Sequence, residues 1–324
     1  MGKRSHPEAF QGNLRKNYYY EGWYNKIVNK NQEFIFAFIP TIAINKRAKN
    51  SHAFIQILDG ITGNTNYVKY ELTQFENLAQ DNFNIRIGNN FFSTEGFKLD
   101  IDQYPVKING SIEYFKPVLW PKTFFQPGIM GPLTYLPFLE TYHGIVSMNH
   151  DLRGSIDFND KIINFNDGKG YIEKDWGTSF PRAYLWAQTN HFSNPKLSFI
   201  LSIAKIPLVN FEITGFLCVI WHRGIFYKFT TYTNAKIRLF EIKPDTIKIN
   251  IEDRKLSLYI VINKKNIRFS KLKAPHSGIM SSNIVETMNS KIRIKLYDKR
   301  NKKVILDDTG LNAGLDLSNI ELLT

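Results

Sequence analysis

Short apolar runs separated by turn residues recur along almost the whole chain. Two runs rich in β-branched and aromatic residues lie at 34–39 and 52–58. Further runs follow at regular intervals in the C-terminal half: 197–203, 213–221, 226–232, 236–242, 246–251, 256–261, 284–288, 291–297 and 304–306. Short, evenly spaced runs are typical of β sandwiches and barrels. Because no long segment has the 3.6-residue periodicity of an amphipathic helix, the pattern predicts an all-β, mainly antiparallel fold with few helices.

The distribution of these runs predicts two β-rich halves. Residues 1–17 are polar and predict a flexible N-terminal arm, or one that packs late. We place an N-terminal β domain at 18–150 and a C-terminal β domain at 151–324, with the boundary inside 116–170. The start of that boundary region is rich in Pro and Gly but also contains several large apolar residues. It is too apolar for a free linker and predicts a structured crossing between two sheets.

The stretch GKGYIEKDWGTSFPRAYLWAQTNHF, at 168–192, concentrates charged, aromatic and amide side chains. Its glycines and its proline predict two short strands joined by a turn. Because alternate residues of a strand share a face, two faces are expected for each strand. In the first strand, Tyr171, Glu173 and Asp175 lie opposite Ile172, Lys174 and Trp176. In the second strand, Tyr184, Trp186, Gln188, Asn190 and Phe192 lie opposite Leu185, Ala187, Thr189 and His191.

The two carboxylates on one strand face allow more than one interpretation. A carboxyl beside apolar surface is disfavoured as an anion and can then act as an acid. Alternatively, Glu173, Lys174 and Asp175 are solvated strand residues with a few ion pairs. The segment YYYEGWY, at 18–24, has the same ambiguity. It is either an aromatic core strand with a stray Glu21 or a cavity wall that carries one acid.

Other candidate chemistry in the sequence is weaker. Glu140 and His143 would share a helix face and form a metal-ligand pair, with His150 following. However, β-prone residues follow at once and no second ligand cluster is visible, so we predict no metal site. The single cysteine, Cys218, lies in the apolar run FLCVIW and is expected to be buried. One cysteine excludes an internal disulfide and a multi-thiolate metal site.

Charge adds an expectation about partners. The chain has 324 residues and a formal net charge of +13. Because the lysines are scattered and no nucleic-acid-binding motif occurs, we predict no nucleic-acid partner. The positive net charge favours a weak association with anionic lipid headgroups. The start, MGKRSHPEAF, lacks the apolar stretch of a signal peptide, so a cytoplasmic protein is expected, peripheral at the membrane at most.

Five longer motifs together resemble those of the tocopherol cyclase-like family. They span nearly the whole chain: EGWY at 21–24, PGIMG at 127–131, YHGIVS at 142–147, GYIEKDWGTSFP at 170–181 and WAQTNHF at 186–192. The PGIMG and YHGIVS motifs are similar to the bacterial branch of the family more than to the plant enzymes.

This resemblance implies a cofactor-free, acid-catalysed cyclisation of a prenylated quinol, or a related reaction that protonates an alkene. The phenol oxygen of the quinol then captures the tertiary cation. Such chemistry needs a protonated carboxyl in an apolar site, aromatic rings near the cation and a group that orients the phenol. The family is also similar to two-domain lipocalin-like proteins, which implies two lipocalin-like or barrel-like halves.

The motifs provide each type of group that the resemblance implies. The acid is Asp175 or Glu173, with Asp175 preferred because it adjoins Trp176 and the chain break at Gly177. His191 and Asn190 are further candidates for catalysis. The substrate-binding candidates, from two stretches that we expect to line one apolar cavity, are Tyr20, Glu21, Trp23, Trp176, Trp186 and Gln188.

Two other interpretations remain open. A lipocalin-like binding protein would carry an apolar small molecule, a prenylated quinol or another lipid, without any chemistry. Alternatively, Asp175 accepts backbone N–H bonds and only fixes a corner of the fold. A binding protein needs aromatic residues but no buried acid. The orientation of Glu173 and Asp175 therefore distinguishes the interpretations.

Overall fold

Antiparallel strands make up most of the computed structural model, which describes residues 5–137, 139–207 and 211–323. The prediction of an all-β, mainly antiparallel fold with few helices is confirmed. Helical structure in the described residues consists of short 3-10 turns, at Leu72–Gln74, Gly131–Tyr135, Thr231–Thr233 and Ile320–Leu323. No helix in this part of the chain is long and apolar enough to cross a bilayer.

Twelve strands form the first sheet. They are β1 (Tyr18–Val28), β2 (Ile35–Asn45), β3 (His52–Asp59), β4 (Thr65–Glu71), β5 (Phe75–Asn77), β6 (Asn84–Ile87), β7 (Asn90–Ser93), β8 (Gly96–Gln103), β9 (Val106–Phe115), β10 (Thr141–Phe158), β11 (Lys161–Asn164) and β12 (Lys169–Gly177). Their order is β4-β3-β2-β1-β12-β10-β9-β8-β7-β6-β5, with β11 paired to β10. The late strand β12 therefore lies in the middle of the sheet, between β1 and β10.

Ten strands form the second sheet. They are β13 (Tyr184–Thr189), β14 (Leu197–Pro207), β15 (Glu212–His222), β16 (Ile225–Thr230), β17 (Lys236–Ile242), β18 (Thr246–Glu252), β19 (Leu256–Asn263), β20 (Ser270–His276), β21 (Ile279–Asp298) and β22 (Lys303–Ser318). Their order is β16-β15-β14-β13-β22-β21-β19-β18-β17, with β20 paired to β21. In neither sheet do the two end strands pair among the described residues, so the barrel-like part of the prediction is not confirmed.

Residue contacts divide the chain into two compact units. The first unit runs to Phe180 and also includes Leu272–Asn283. The second unit comprises Pro181–Lys271 and the chain from Ile284 onward. Each unit has its own apolar core, formed by the inward faces of its strands. Cys218 is buried in the second core, as predicted.

The Pro/Gly-rich segment does not connect two sheets. It joins β9 to β10, which pair directly with each other in the first sheet. The predicted crossing is therefore wrong. Its apolar residues have two separate roles instead: Trp120 and Met130 are buried, whereas Phe124 and Phe125 are exposed. Composition alone does not separate residues that anchor a loop from residues at its tip.

The N-terminal segment packs onto the first unit where it is described. Pro7, Glu8, Ala9 and Phe10 are buried, and Phe10 belongs to the core of the unit. The indole Nε1 of Trp23 donates a hydrogen bond to the Glu8 carbonyl at 3.0 Å. This contact ties the segment to β1.

Candidate functional site

The register of β12 with its two neighbours brings ionisable residues together. Asp175 pairs with Gly22 of β1 on one side and with His143 of β10 on the other. Glu173 pairs with Tyr24 of β1. Because directly opposite residues of antiparallel strands project from the same face, Glu173, Asp175 and His143 lie on one face of the sheet. The alternation predicted for β12 is confirmed.

His143 connects the two carboxyl groups. Its Nδ1 lies 2.8 Å from Oδ1 of Asp175, and its Nε2 lies 3.6 Å from Oε2 of Glu173. The hydroxyl of Tyr171 donates a hydrogen bond to the same Glu173 oxygen at 2.5 Å. The Glu173 side chain is 5% exposed, against 30% for Asp175. We call these four residues the acid cluster.

The acid cluster holds a positive charge on its histidine. Burial lowers the pKa of His143, but the Asp175 and Glu173 charges and the hydrogen bond to Asp175 outweigh it, raising the pKa from 6.5 to about 9. His143 is therefore an imidazolium at neutral pH: its Nδ1 donates to Asp175, and its Nε2 lies at ion-pair distance from Glu173. Burial, and then the Glu173 charge, raise the pKa of Tyr171 well above its ordinary range, so the phenol stays neutral.

This charge predicts a pH-dependent stability. A folded pKa above the unfolded one stabilises the protein fully below about pH 6.5, and that contribution disappears as the pH rises through about 9. Its upper limit is about 3 kcal/mol. We expect urea unfolding to show the parent more stable than His143→Gln at pH 6, with a gap that shrinks by pH 9.5. An equal gap at both pH values would exclude a charged His143.

The acid cluster also has the atoms for a metal site. One ligand atom each from His143, Glu173 and Asp175 lies within 4.8 Å of the others. Nitrogen and carboxylate oxygen together suit a divalent cation such as Zn²⁺. Because an imidazolium cannot be a ligand, a cation would have to displace the proton of His143. Glu140 does not share a helix face with His143, because β10 begins at Thr141 and Glu140 is exposed.

Tyrosine rings surround the acid cluster on its face of the sheet. The Tyr20 hydroxyl shares a hydrogen bond with the Thr141 hydroxyl, and its ring contacts Phe180 edge-on at 5.4 Å. Burial, and then the Asp175 charge, raise the pKa of Tyr20 well above its ordinary range. Tyr24 is buried opposite Glu173 on the same face. Phenol rings therefore flank the carboxyl groups.

The other face of β12 carries a buried ion pair. Lys174 and Glu21 are both fully buried, and Lys174 Nζ lies 2.5 Å from a Glu21 oxygen. Lys174 Nζ also lies 5.0 Å from the Trp23 ring and 4.7 Å from the Trp176 ring. From the sequence, we expected Trp176 to bind the substrate beside Asp175, close to the cation that forms during the reaction. In the structure its ring contacts the ammonium of Lys174 instead, on the opposite face from Asp175.

The ion pair holds the N-terminal segment. Lys174 Nζ donates to the backbone carbonyls of Pro7 and Ala9. The Glu21 carboxylate accepts hydrogen bonds from the backbone N–H groups of Gln11 and Gly12, and from the Tyr19 hydroxyl. Glu21 is therefore fully engaged in structural contacts. The segment 18–24 was either an aromatic core strand or a cavity wall that carries one acid. The contacts of Glu21 agree with the core strand.

The remaining predicted site residues belong to the second unit. Trp186 and Gln188 are buried on β13, on the face opposite the core residues Leu185 and Ala187. Alternation ends there, because β13 stops at Thr189. Asn190 and His191 follow the strand, and His191 makes a single bridge to Leu311. Phe192 packs in the core of the unit with Leu185 and Ala187, so its predicted position on the Trp186 face is wrong.

Two carboxyl groups of the second unit, Glu286 and Asp316, are buried, although the sequence around them contains no motif that predicts a site. Asp316 of β22 pairs with Trp186 on one side and with Glu286 of β21 on the other, so all three share a face. Both carboxyl groups are buried, and the Tyr184 hydroxyl lies 3.0 Å from Asp316. His143 lies within the motif YHGIVS, but its strand partner is not visible from the sequence.

His150 differs from His143 of the acid cluster in its protonation state. Burial lowers its pKa to about 3, so the ring is neutral. Its Nδ1 lies 3.0 Å from the Ser147 hydroxyl, and its ring lies 4.2 Å from that of Tyr114. A Cβ at Gly170 would lie 2.1 Å from its Nε2, so the ring packs directly on that glycine. His150 is a packing residue.

The sequence of this chain matches a known protein family. A family model described as tocopherol cyclase-like matches residues 113–318, more than half of the chain. The chain belongs to the tocopherol cyclase-like family. The matched range includes the whole acid cluster, Trp186, Gln188, Glu286 and Asp316, whereas Tyr20, Glu21 and Trp23 precede it.

Two curated plant proteins are similar in sequence. A probable chloroplastic tocopherol cyclase of Oryza sativa subsp. japonica is 28% identical over 203 residues, covering 59% of this chain and 42% of that protein. A chloroplastic tocopherol cyclase of Zea mays is 30% identical over 114 residues, covering 34% of this chain and 24% of that protein. The chain thus spans less than half the length of these relatives. The resemblance to the bacterial branch stays a prediction.

Solved structures share the fold across nearly the whole chain. The crystal structure of CghA with Sch210972 has a TM-score of 0.57 at 7% identity, covering 93% of this chain and 89% of CghA. Kievitone hydratase from Nectria haematococca has a TM-score of 0.53 at 12% identity, covering 98% of this chain and 93% of the hydratase. At such low identity the likeness concerns the fold alone.

Proposed function

We propose that this member of the tocopherol cyclase-like family protonates the alkene of a prenylated quinol and closes the ring without a cofactor. The observation that carries the proposal is the acid cluster. Its Glu173 carboxyl, almost wholly buried, accepts a hydrogen bond from Tyr171, lies 3.6 Å from Nε2 of the charged His143 and is flanked by tyrosine rings. Glu173 raises the pKa of His143 as a carboxylate; an apolar substrate that excludes water then favours the neutral carboxyl, which is the form that reacts. The Tyr171 hydroxyl and the His143 charge stabilise the carboxylate that remains after the proton has left.

Glu173 is better placed than Asp175 to be this acid. Asp175 is more exposed and is hydrogen-bonded to His143, which it holds as an imidazolium. That imidazolium and the Tyr171 hydroxyl both point at Oε2 of Glu173. Asp175 therefore orients and charges His143, while Glu173 transfers the proton. The sequence preferred Asp175, and the site geometry supports the reverse assignment.

The proposed reaction is an isomerisation, because the substrate and the product contain the same atoms. The Glu173 proton adds to the less substituted alkene carbon, and a tertiary cation forms on its neighbour. The faces of Tyr20, Tyr24 and Tyr171 stabilise that cation. The phenol oxygen of the substrate forms the new C–O bond and loses its proton to the Glu173 carboxylate, which restores the acid. Nothing is oxidised or reduced.

The names of the relatives agree with this chemistry. The two plant relatives are named tocopherol cyclases, and one protein of the same fold is named a hydratase. Cyclisation and hydration share the protonation of an alkene and differ in whether a phenol or water captures the cation. A hydrophobic small molecule as ligand and weak membrane association stay proposals.

Two measurements test the proposal. First, the purified protein is incubated with a short-tailed prenylated hydroquinone, and the product is analysed by mass spectrometry and chromatography. We expect a chromanol of unchanged mass; a product heavier by one water would indicate hydration. Second, lipids that co-purify with the protein are identified. Binding of the quinol with no turnover under any condition would contradict the proposal and favour a lipocalin-like binding protein.

A further inference from the structure

The loop between β9 and β10 carries two neighbouring phenylalanines that point away from the core. Phe124 and Phe125 are 71% and 72% exposed, and we call them the aromatic tip. Their rings contact each other edge to face, with centroids 5.1 Å apart. Apolar side chains exposed to this degree as a pair mark an interaction surface more often than isolated ones do.

The backbone holds the aromatic tip in place. Thr123 and Gln126 exchange two backbone hydrogen bonds, each 3.1 Å long, and this closes a tight turn with the two phenylalanines at its apex. The Tyr135 hydroxyl donates to the Phe124 carbonyl at 2.7 Å. Buried Trp120 anchors the loop before the turn. The rings are therefore presented by a braced turn.

The size and the charge of this surface favour a lipid bilayer as its partner. Two aromatic side chains offer roughly 300–500 Å², well under the roughly 800 Å² per partner of a stable protein interface. Phenylalanine is among the side chains that interfacial segments bury in the headgroup region of a bilayer. Lys116, exposed in the same loop, lies 3.7 Å from an Asp151 oxygen, so the attraction to anionic headgroups comes from the net charge of +13.

We propose that the aromatic tip inserts into the interface of anionic membranes and docks the first unit on the lipid phase. The proposal does not depend on the acid cluster, because no substrate enters its test. It is compatible with a prenyl lipid as substrate, since such molecules partition into bilayers.

Vesicle binding tests the proposal. The protein is sedimented with vesicles of phosphatidylcholine and phosphatidylglycerol, and with phosphatidylcholine alone. We expect stronger binding to the anionic vesicles, and a roughly ten-fold or larger loss of it in Phe124→Ala/Phe125→Ala. Ile162→Ala, which removes an apolar side chain that is 76% exposed on β11, is the matched control and should bind like the parent. Equal binding by the double variant, or no binding by the parent, would overturn the proposal.

A second measurement reports insertion itself. Because the single native cysteine, Cys218, is buried, Phe125→Cys provides an accessible site for an environment-sensitive fluorophore. Its emission should shift to the blue on anionic vesicles, and the same label on Ile162→Cys should not shift. Equal behaviour of both labels would mean that the protein binds by charge alone. Self-association in the absence of lipid, lost in the double alanine variant, would assign the tip to a second copy of this chain and overturn the proposal.

Discussion

Replacing Glu173 by Gln should lower the turnover of a prenylated quinol by about 10²–10⁴-fold, the usual contribution of a general acid. The amide keeps the shape of the side chain and still accepts a hydrogen bond from Tyr171, but it has no acidic proton. The measurement is kcat with a short-tailed quinol, after circular dichroism has shown an unchanged fold. Glu95→Gln, at an exposed position of the same unit, is the matched control and should keep full turnover.

The neighbouring variants separate the roles in the acid cluster. Asp175→Asn should reduce turnover less than Glu173→Gln does, and it should lower the pKa of His143 in an NMR titration, because a negative charge is lost. An unchanged titration would mean that Asp175 does not charge His143. If Glu173→Gln keeps full turnover while Asp316→Asn or Glu286→Gln loses it, the acid belongs to the second unit.

Replacing Lys174 by Met should destabilise the first unit by about 3–5 kcal/mol, because it leaves the Glu21 carboxylate buried without its cation. The remaining donors from Gln11, Gly12 and Tyr19 place the effect toward the lower end. Methionine fills a similar volume, so the loss reports charge rather than packing. The free energy of unfolding in urea is the measurement. A loss below about 1 kcal/mol would contradict a structural role.

The double variant Glu21→Gln/Lys174→Met completes the cycle. Since both charges are removed together, it should be more stable than Lys174→Met alone, with a coupling of about 1–3 kcal/mol between the two sites. The Lys174 side chain also holds the carbonyls of Pro7 and Ala9. Limited proteolysis near the N-terminus should therefore be faster in both variants than in the parent.

Local pattern determined the secondary structure of this chain. Strand β17 begins and ends where the apolar run predicted, and the run at 52–58 forms a strand that pairs with β2. Asn159 and Asp160 form the turn between β10 and β11, and both have positive φ, as a two-residue hairpin turn requires. These features depend on side-chain alternation and turn chemistry within a few residues, which a sequence displays directly.

The composition of the acid cluster depended on the tertiary structure. Alternation alone placed Glu173 and Asp175 on one face and Lys174 on the other. The partner of the two carboxyl groups, His143, lies 32 residues from Asp175 and meets it because β12 inserts between β1 and β10. Which strands become neighbours depends on hydrogen bonding between distant backbone segments, and a period-two pattern is compatible with many such pairings. The sequence therefore determined the strands and the two faces of β12. Only the pairing of β12 with β1 and β10 decided that His143 meets the two carboxyl groups on one face and that Lys174 pairs with Glu21 on the other.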